Sequence, residues 1–176
     1  MAVCFYKGVA TKLKTADLDD LRTAVQGSIE LVPGCTESTQ FEAFVNEEGR
    51  CDTKFERNYA GEMLLLYLGF DEKTFIKMGL VGPIVVTRKT TPKGNTPPMP
   101  EPMQDVMVEM YKYLLACDDP YEDEASVAKL KEMAAALSAR KRTKKTRKDG
   151  DRSLAAKRKH EKKSSDAQPA PKRHKH

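Results

Sequence analysis

Apolar and polar positions along the first ninety residues alternate between two rhythms. Ala2 to Tyr6, with Val3 and Phe5, is a short apolar run that predicts a strand ended by Lys7-Gly8. Leu18, Leu21 and Val25 then recur at i, i+3 and i+7, the spacing of one helix face. Thr15 is the expected N-cap of that helix, Asp17, Asp19 and Asp20 suit the positive end of its dipole, and Gly27 is its expected stop. Ser28 to Val32 predicts a second strand and Pro33-Gly34 a turn. Gln40 to Val45, where Phe41 and Ala43 alternate with Gln40, Glu42 and Phe44, predicts a half-buried antiparallel strand. Asn46-Glu47-Glu48-Gly49 fits a hairpin connection, with Arg50 to Phe55 expected as the returning strand.

The helical period resumes after Asn58, an N-cap for a helix to about Leu68 with Met63, Leu64, Tyr67 and Leu68 on one face and Gly69 as its stop. A single helical turn is expected within Asp71 to Met78. Leu80 to Thr87 is a β-branched run interrupted by Pro83, which cannot donate to a ladder and is therefore expected at a sheet edge or bulge. Arg88 to Pro102 contains five prolines and predicts an extended linker that closes the globular domain. Beyond it Val106, Met110, Tyr113, Leu114 and Cys117 define an amphipathic helix over Met103 to Cys117. Asp119-Pro120-Tyr121-Glu122 is a capping-box start for a second helix with Val127, Leu130, Ala134 and Leu137 as its stripe. The pattern thus predicts an α+β class: a small, mostly antiparallel sheet with packed helices (1–87), a Pro-rich linker (88–102), a helical hairpin (103–139) and a disordered basic tail (140–176). The hairpin packs back on the sheet domain or on itself, or its face of Met103, Met107 and Met110 receives a partner.

Charge changes this picture at one place. Residues 1 to 139 carry 15 Lys and Arg against 22 Asp and Glu, a net of −7; residues 140 to 176 carry 16 against 4, a net of +12. With Leu154 as its one large aliphatic residue, the tail cannot bury enough apolar surface to offset chain entropy. Arg140, Lys141, Arg142, Lys144, Lys145, Arg147 and Lys148 place seven cations in nine residues and are the candidate nucleic-acid contacts. Each phosphate they neutralise steepens the salt dependence by about 0.9 in log-log slope. The tail has no Phe, Tyr or Trp, so its binding is expected to be electrostatic and sequence-tolerant. Lys157, Arg158 and Lys159, and farther on Lys172, Arg173 and Lys175, form two short basic groups on a polar spacer. They resemble a bipartite nuclear localisation signal, which makes a nuclear import receptor the expected partner and the nucleus the expected location.

Candidate chemistry adds little. Cys4, Cys35, Cys51 and Cys117 lack metal-ligand spacing and suggest a reducing compartment; all three histidines lie in the tail. No apolar run approaches the ~20 residues that span a bilayer, so a soluble protein without a membrane partner is expected. Phosphate-cradling, dinucleotide, hydrolase-elbow and zincin motifs are all missing from the sequence, and no catalytic residue, metal or cofactor is expected. Glu30, Glu47 and Glu48 are the one carboxylate set that strand and hairpin could bring together, as a cation site or an acid and base.

The positions Gly27, Ile29, Glu30, Asn46, Glu47, Glu48, Gly49, Asn58, Ala60, Gly82, Val85 and Val86, in that order over residues 18 to 87, resemble the pattern of a family of small domains of unknown function encoded mainly by phages, plasmids and large DNA viruses. The resemblance implies a compact α+β domain of viral or mobile-element descent and carries no reaction with it. The functional expectation is a non-enzymatic nuclear accessory or adaptor protein. The alternatives are a carboxylate-dependent enzyme built on Glu30, Glu47 and Glu48, and an interaction module built on the Met-rich hairpin.

Overall fold

The computed structural model describes residues 1–34, 39–73, 79–117 and 123–138. The chain divides into two units, Met1–Leu137 and Ser138–His176, and of the second only Ser138 is among the described residues. The first unit contains strands β1 (Ala2–Tyr6), β2 (Val9–Leu13), β3 (Ile29–Leu31), β4 (Phe41–Asn46) and β5 (Ile84–Arg88). Its helices are α1 (Leu18–Val25), α2 (Tyr59–Tyr67), α3 (Glu101–Ala116) and α4, which spans 124–137 of this unit. The strands form one antiparallel sheet in the order β2-β1-β5-β4-β3.

The last strand in sequence is the central one in space. β5 pairs with β1 through Val3↔Val86, Cys4↔Val85 and Phe5↔Ile84, and with β4 through Phe41↔Arg88 to Phe44↔Val85. Side chains alternate across a strand, so Val3, Phe5, Phe41, Ala43, Val45, Ile84 and Val86 share one face and pack with α2, α3 and α4. Ala2, Cys4 and Val85 share the other and pack on Leu21 and Val25 of α1. Covered on both faces, the Ile84-Val85-Val86 run is wholly buried, which is why it reads as continuous rather than alternating. Each such side chain contributes about 1.5–3 kcal/mol when fully buried.

Several local expectations are corrected. The chain does not pass from β1 into a helix. Lys7 (φ 47°) and Gly8 (φ 79°) form a turn with two left-handed residues, the geometry that matches strand twist, and lead into β2. β2 escaped the pattern because it is a largely exposed edge strand with no buried face to alternate. The N-cap of α1 is Asp17, whose Oδ1 accepts from Asp20 N–H at 3.0 Å, while Thr15 donates its hydroxyl to Asp20. Its C-cap is Gln26 (φ 62°), one residue before Gly27.

Arg50 to Phe55 is a series of turns, not a returning strand, because β4 already has β3 on one side and β5 on the other. Pro83 lies neither at an edge nor in a bulge; it directly precedes the central strand, where no ladder donor is needed.

No domain boundary falls at 88–102. Lys89 N–H bonds Gln40 O at 2.8 Å, Met99 N–H bonds Met1 O at 3.3 Å, and Met99 is fully buried. Met103, Met107 and Met110 are buried in the same core as the sheet, and Tyr111 lies 5.0 Å, ring to ring, from Phe5. The methionine face is therefore covered by this chain's own sheet and is not a docking surface. α4 joins that core through Leu130 and Leu137, and Gln40 Nε2 donates to Leu137 O at 2.9 Å. Its expected start at Asp119-Pro120 lies outside the described residues; within them, Asp123 accepts from the N–H and hydroxyl of Ser126. The expected turn within Asp71 to Met78 falls largely on residues 74–78, also outside them.

Candidate functional site

The seven basic residues Arg140 to Lys148 and the two later groups, Lys157 to Lys159 and Lys172 to Lys175, all lie outside the described residues. The carboxylates expected to cluster do so only in part. Glu30, Glu47 and Glu48 are all exposed; Glu30 and Glu47 border one depression of about 60 Å³ with Arg50, and Glu48 stands away from it. Arg50 donates to Gly79 O at 3.3 Å in the same depression. Among the described residues no group of three or more His, Cys, Asp or Glu side chains is arranged to hold a metal ion. No helix there is long and apolar enough to cross a membrane.

What the structure does assemble is a polar framework at the entry to α2. Asn58 is buried and uses its whole amide: Nδ2 donates to Phe5 O (2.7 Å) and Gly82 O (3.0 Å), and Oδ1 accepts from Gly61 N–H (3.1 Å). The residue that caps the helix thereby also ties it to β1 and to the approach of β5. Next to it Arg57 donates Nε and Nη2 to the two oxygens of Glu62 at 3.0 and 2.8 Å. This paired donation raises the Arg57 pKa above its ordinary value. The Glu62 side chain is 5% exposed and that of Arg57 55% exposed, so the pair is anchored at the carboxylate end.

Asn46 plays the corresponding part on the other side of the sheet. Its Nδ2 donates to Val25 O (3.1 Å) and Gln26 O (3.0 Å), and its Oδ1 accepts from Glu48 N–H (2.9 Å), fixing the end of α1 to the end of β4. Gly27 is needed beside it: a Cβ there would lie 2.5 Å from Asn46 Nδ2.

The start of α2, the β1–β2 turn and the end of α3 enclose a cleft of about 350 Å³. Met63, Tyr111 and Leu114 supply buried groups to it, and Tyr59 (55% exposed) and Leu115 (46% exposed) stand open at it. Two cation–ring pairs border the cleft: Lys7 Nζ lies 5.4 Å from the Tyr6 ring centroid, and the Arg57 guanidinium 5.6 Å from that of Tyr59. Lys7 is paired to Glu56 at 3.3 Å, and Glu56 N–H donates to the Tyr6 hydroxyl at 3.3 Å. Burial raises the Tyr111 pKa above its ordinary value, and a bond from Gly8 N–H to its hydroxyl opposes that shift. A second groove, of about 530 Å³ and mainly apolar, runs between α2 and α4 past Leu66, Tyr67, Phe70 and Val127.

Fold and site together define a three-layer antiparallel α+β domain with an aromatic and cationic cleft beside α2. No family model, no curated protein and no solved structure matches the chain.

Asn58 is legible in the sequence as a cap and Lys7-Gly8 as a strand end, but nothing local shows Tyr6, Arg57 and Tyr59 as neighbours. The cleft draws on residues 6–8, 56–63 and 111–117, and no short window contains it. The local signal closest to it is Arg57-Asn58-Tyr59, a cation and an aromatic flanking a helix cap.

Proposed function

We propose that this protein is a non-enzymatic nuclear accessory or adaptor protein, with a basic tail for nuclear import and non-specific nucleic-acid binding and a folded unit that supplies further contacts. The observation that carries this reading is the charge division, −7 over residues 1 to 139 against +12 over residues 140 to 176. An arm of that composition gains affinity chiefly by releasing counterions from phosphate. The two later basic groups suit an import receptor that reads extended chain.

The resemblance to phage, plasmid and large-DNA-virus domains belongs to the same reading, with viral or mobile-element descent. Five of the twelve positions that carry the resemblance have structural roles in this fold. Gly27 packs on Asn46, Gly49 on the carbonyls of Asn46 and Val81, and Gly82 on Phe55, while Asn46 and Asn58 are the buried ties of the framework. They are positions at which a fold, not a reaction, demands a residue type.

The test is duplex DNA binding by the full chain across a salt series. The comparison is a variant in which Arg140, Lys141, Arg142, Lys144, Lys145, Arg147 and Lys148 are all Gln. The native chain is expected to bind with a log-log slope of about −6, from roughly 0.9 per phosphate contact. The variant is expected to lose most of that slope. A native chain without salt-dependent binding, together with a tail-fused reporter that stays outside the nucleus, refutes the reading.

A further inference from the structure

The tail has cations but no Phe, Tyr or Trp; the folded unit has a cleft with both cations and phenol rings. We propose that the cleft bordered by Tyr6, Lys7, Arg57 and Tyr59 receives an unpaired base of a single-stranded nucleic acid. The inference rests on the reading above and adds to it a fixed aromatic platform, which the tail, without Phe, Tyr or Trp, does not carry.

Three observations carry it. The cleft of about 350 Å³ falls in the size range of small-ligand sites, about 300–1,000 Å³. Its open ring, Tyr59, is 55% exposed and already carries a guanidinium at 5.6 Å, the mixed aromatic and cationic platform on which bases stack without regard to sequence. That platform is held in place. Arg57 is fixed by the buried Glu62 carboxylate, and Tyr59 is the first residue of a helix capped by the fully bonded Asn58. An aromatic group positioned this way loses little freedom on binding.

Charge sets the limit of the site. Lys7 and Arg57 face the cleft, but Glu56 faces it too and pairs with Lys7, so the cleft by itself is a weak phosphate binder. Its contribution is to the base, while phosphate attraction comes from the tail. A duplex, whose bases are stacked and paired, gains nothing from it.

The experiment measures binding of the full chain to oligothymidylate and to an abasic strand of equal length and phosphate count, in the same buffer, for the native protein, Tyr59→Phe and Tyr59→Ala. One stacked base contributes about 1–3 kcal/mol, so the native chain is expected to bind oligothymidylate about 5- to 150-fold more tightly than the abasic strand. Tyr59→Phe, which keeps the ring, retains the preference; Tyr59→Ala abolishes it and leaves abasic binding unchanged. Equal binding of both strands by the native chain overturns the inference and leaves the electrostatic reading standing. A preference that survives Tyr59→Ala overturns it as well. Failure to bind either strand at low salt overturns both.

Discussion

Glu62 and Leu80, eighteen residues apart, are joined inside the protein by a hydrogen bond from the Leu80 N–H to Glu62 Oε1. The same carboxylate receives the Arg57 fork, so one buried side chain ties α2 both to the segment before it and to the approach of β5. The two halves of this arrangement contribute unequally. Arg57 is more than half exposed, and solvent screens its share; the Leu80 N–H is buried and has no water to replace a lost acceptor.

Glu62→Gln keeps an oxygen for Leu80 and gives up the charged fork, an expected cost of about 1 kcal/mol. Glu62→Ala gives up both, an expected cost of about 3 kcal/mol. Denaturant melts of the two variants measure the difference. Equal losses would mean that the Leu80 bond contributes nothing.

Asn58 separates capping from bridging. Asp caps helices as well as Asn does, but Asn58→Asp would aim an oxygen, in place of a donor, at the carbonyls of Phe5 and Gly82. Asn58→Asp is therefore expected to destabilise at least as much as Asn58→Ala, by about 3 kcal/mol, or a fall in Tm of roughly 10 °C for a unit of this size. If Asn58→Asp proves near neutral in thermal melts, the helix cap is the whole of its role.

Gly27 and Asn46 form a coupled pair. A methyl at residue 27 would meet Asn46 Nδ2 at 2.5 Å and displace the side chain that holds Val25 O and Gln26 O. Gly27→Ala and Asn46→Ala are each expected to cost about 1–3 kcal/mol, and the double variant clearly less than their sum. Additive losses in a double-mutant cycle would show that the methyl is accommodated without disturbing Asn46.

Cys4 predicts an alkaline weakness. Burial on the α1 side of the sheet raises its thiol from the ordinary 9.0 to about 11. Between those values the folded chain keeps a proton that the unfolded chain has lost, so stability falls as pH rises through this window and the contribution is intact below it. The slope attributable to this one group is roughly 1 kcal/mol per pH unit. Cys4→Ala removes the group, and its stability curve is expected to be flatter than that of the native chain over the same window. Parallel curves would place the alkaline loss elsewhere.

Local chemistry in the sequence determined much of this fold. Period marked α1, α2 and α3, with Asn58 marking the start of α2, and β-branched or alternating runs marked β1, β3, β4 and β5, because those signals reside in the chain's own neighbours. The charge of the tail was legible in the same way, since composition needs no partner. Three things waited for the tertiary structure. β2 is an exposed edge with no hydrophobic alternation to reveal it. The central place of β5 follows from pairing with strands some forty and eighty residues earlier, a choice that depends on which faces can be buried together. The cleft combines Tyr6, Arg57, Tyr59 and Leu115 from three distant segments. Its geometry is set by the packing of α2 and α3 on one sheet, and packing is a property of surfaces that meet only when the chain has folded.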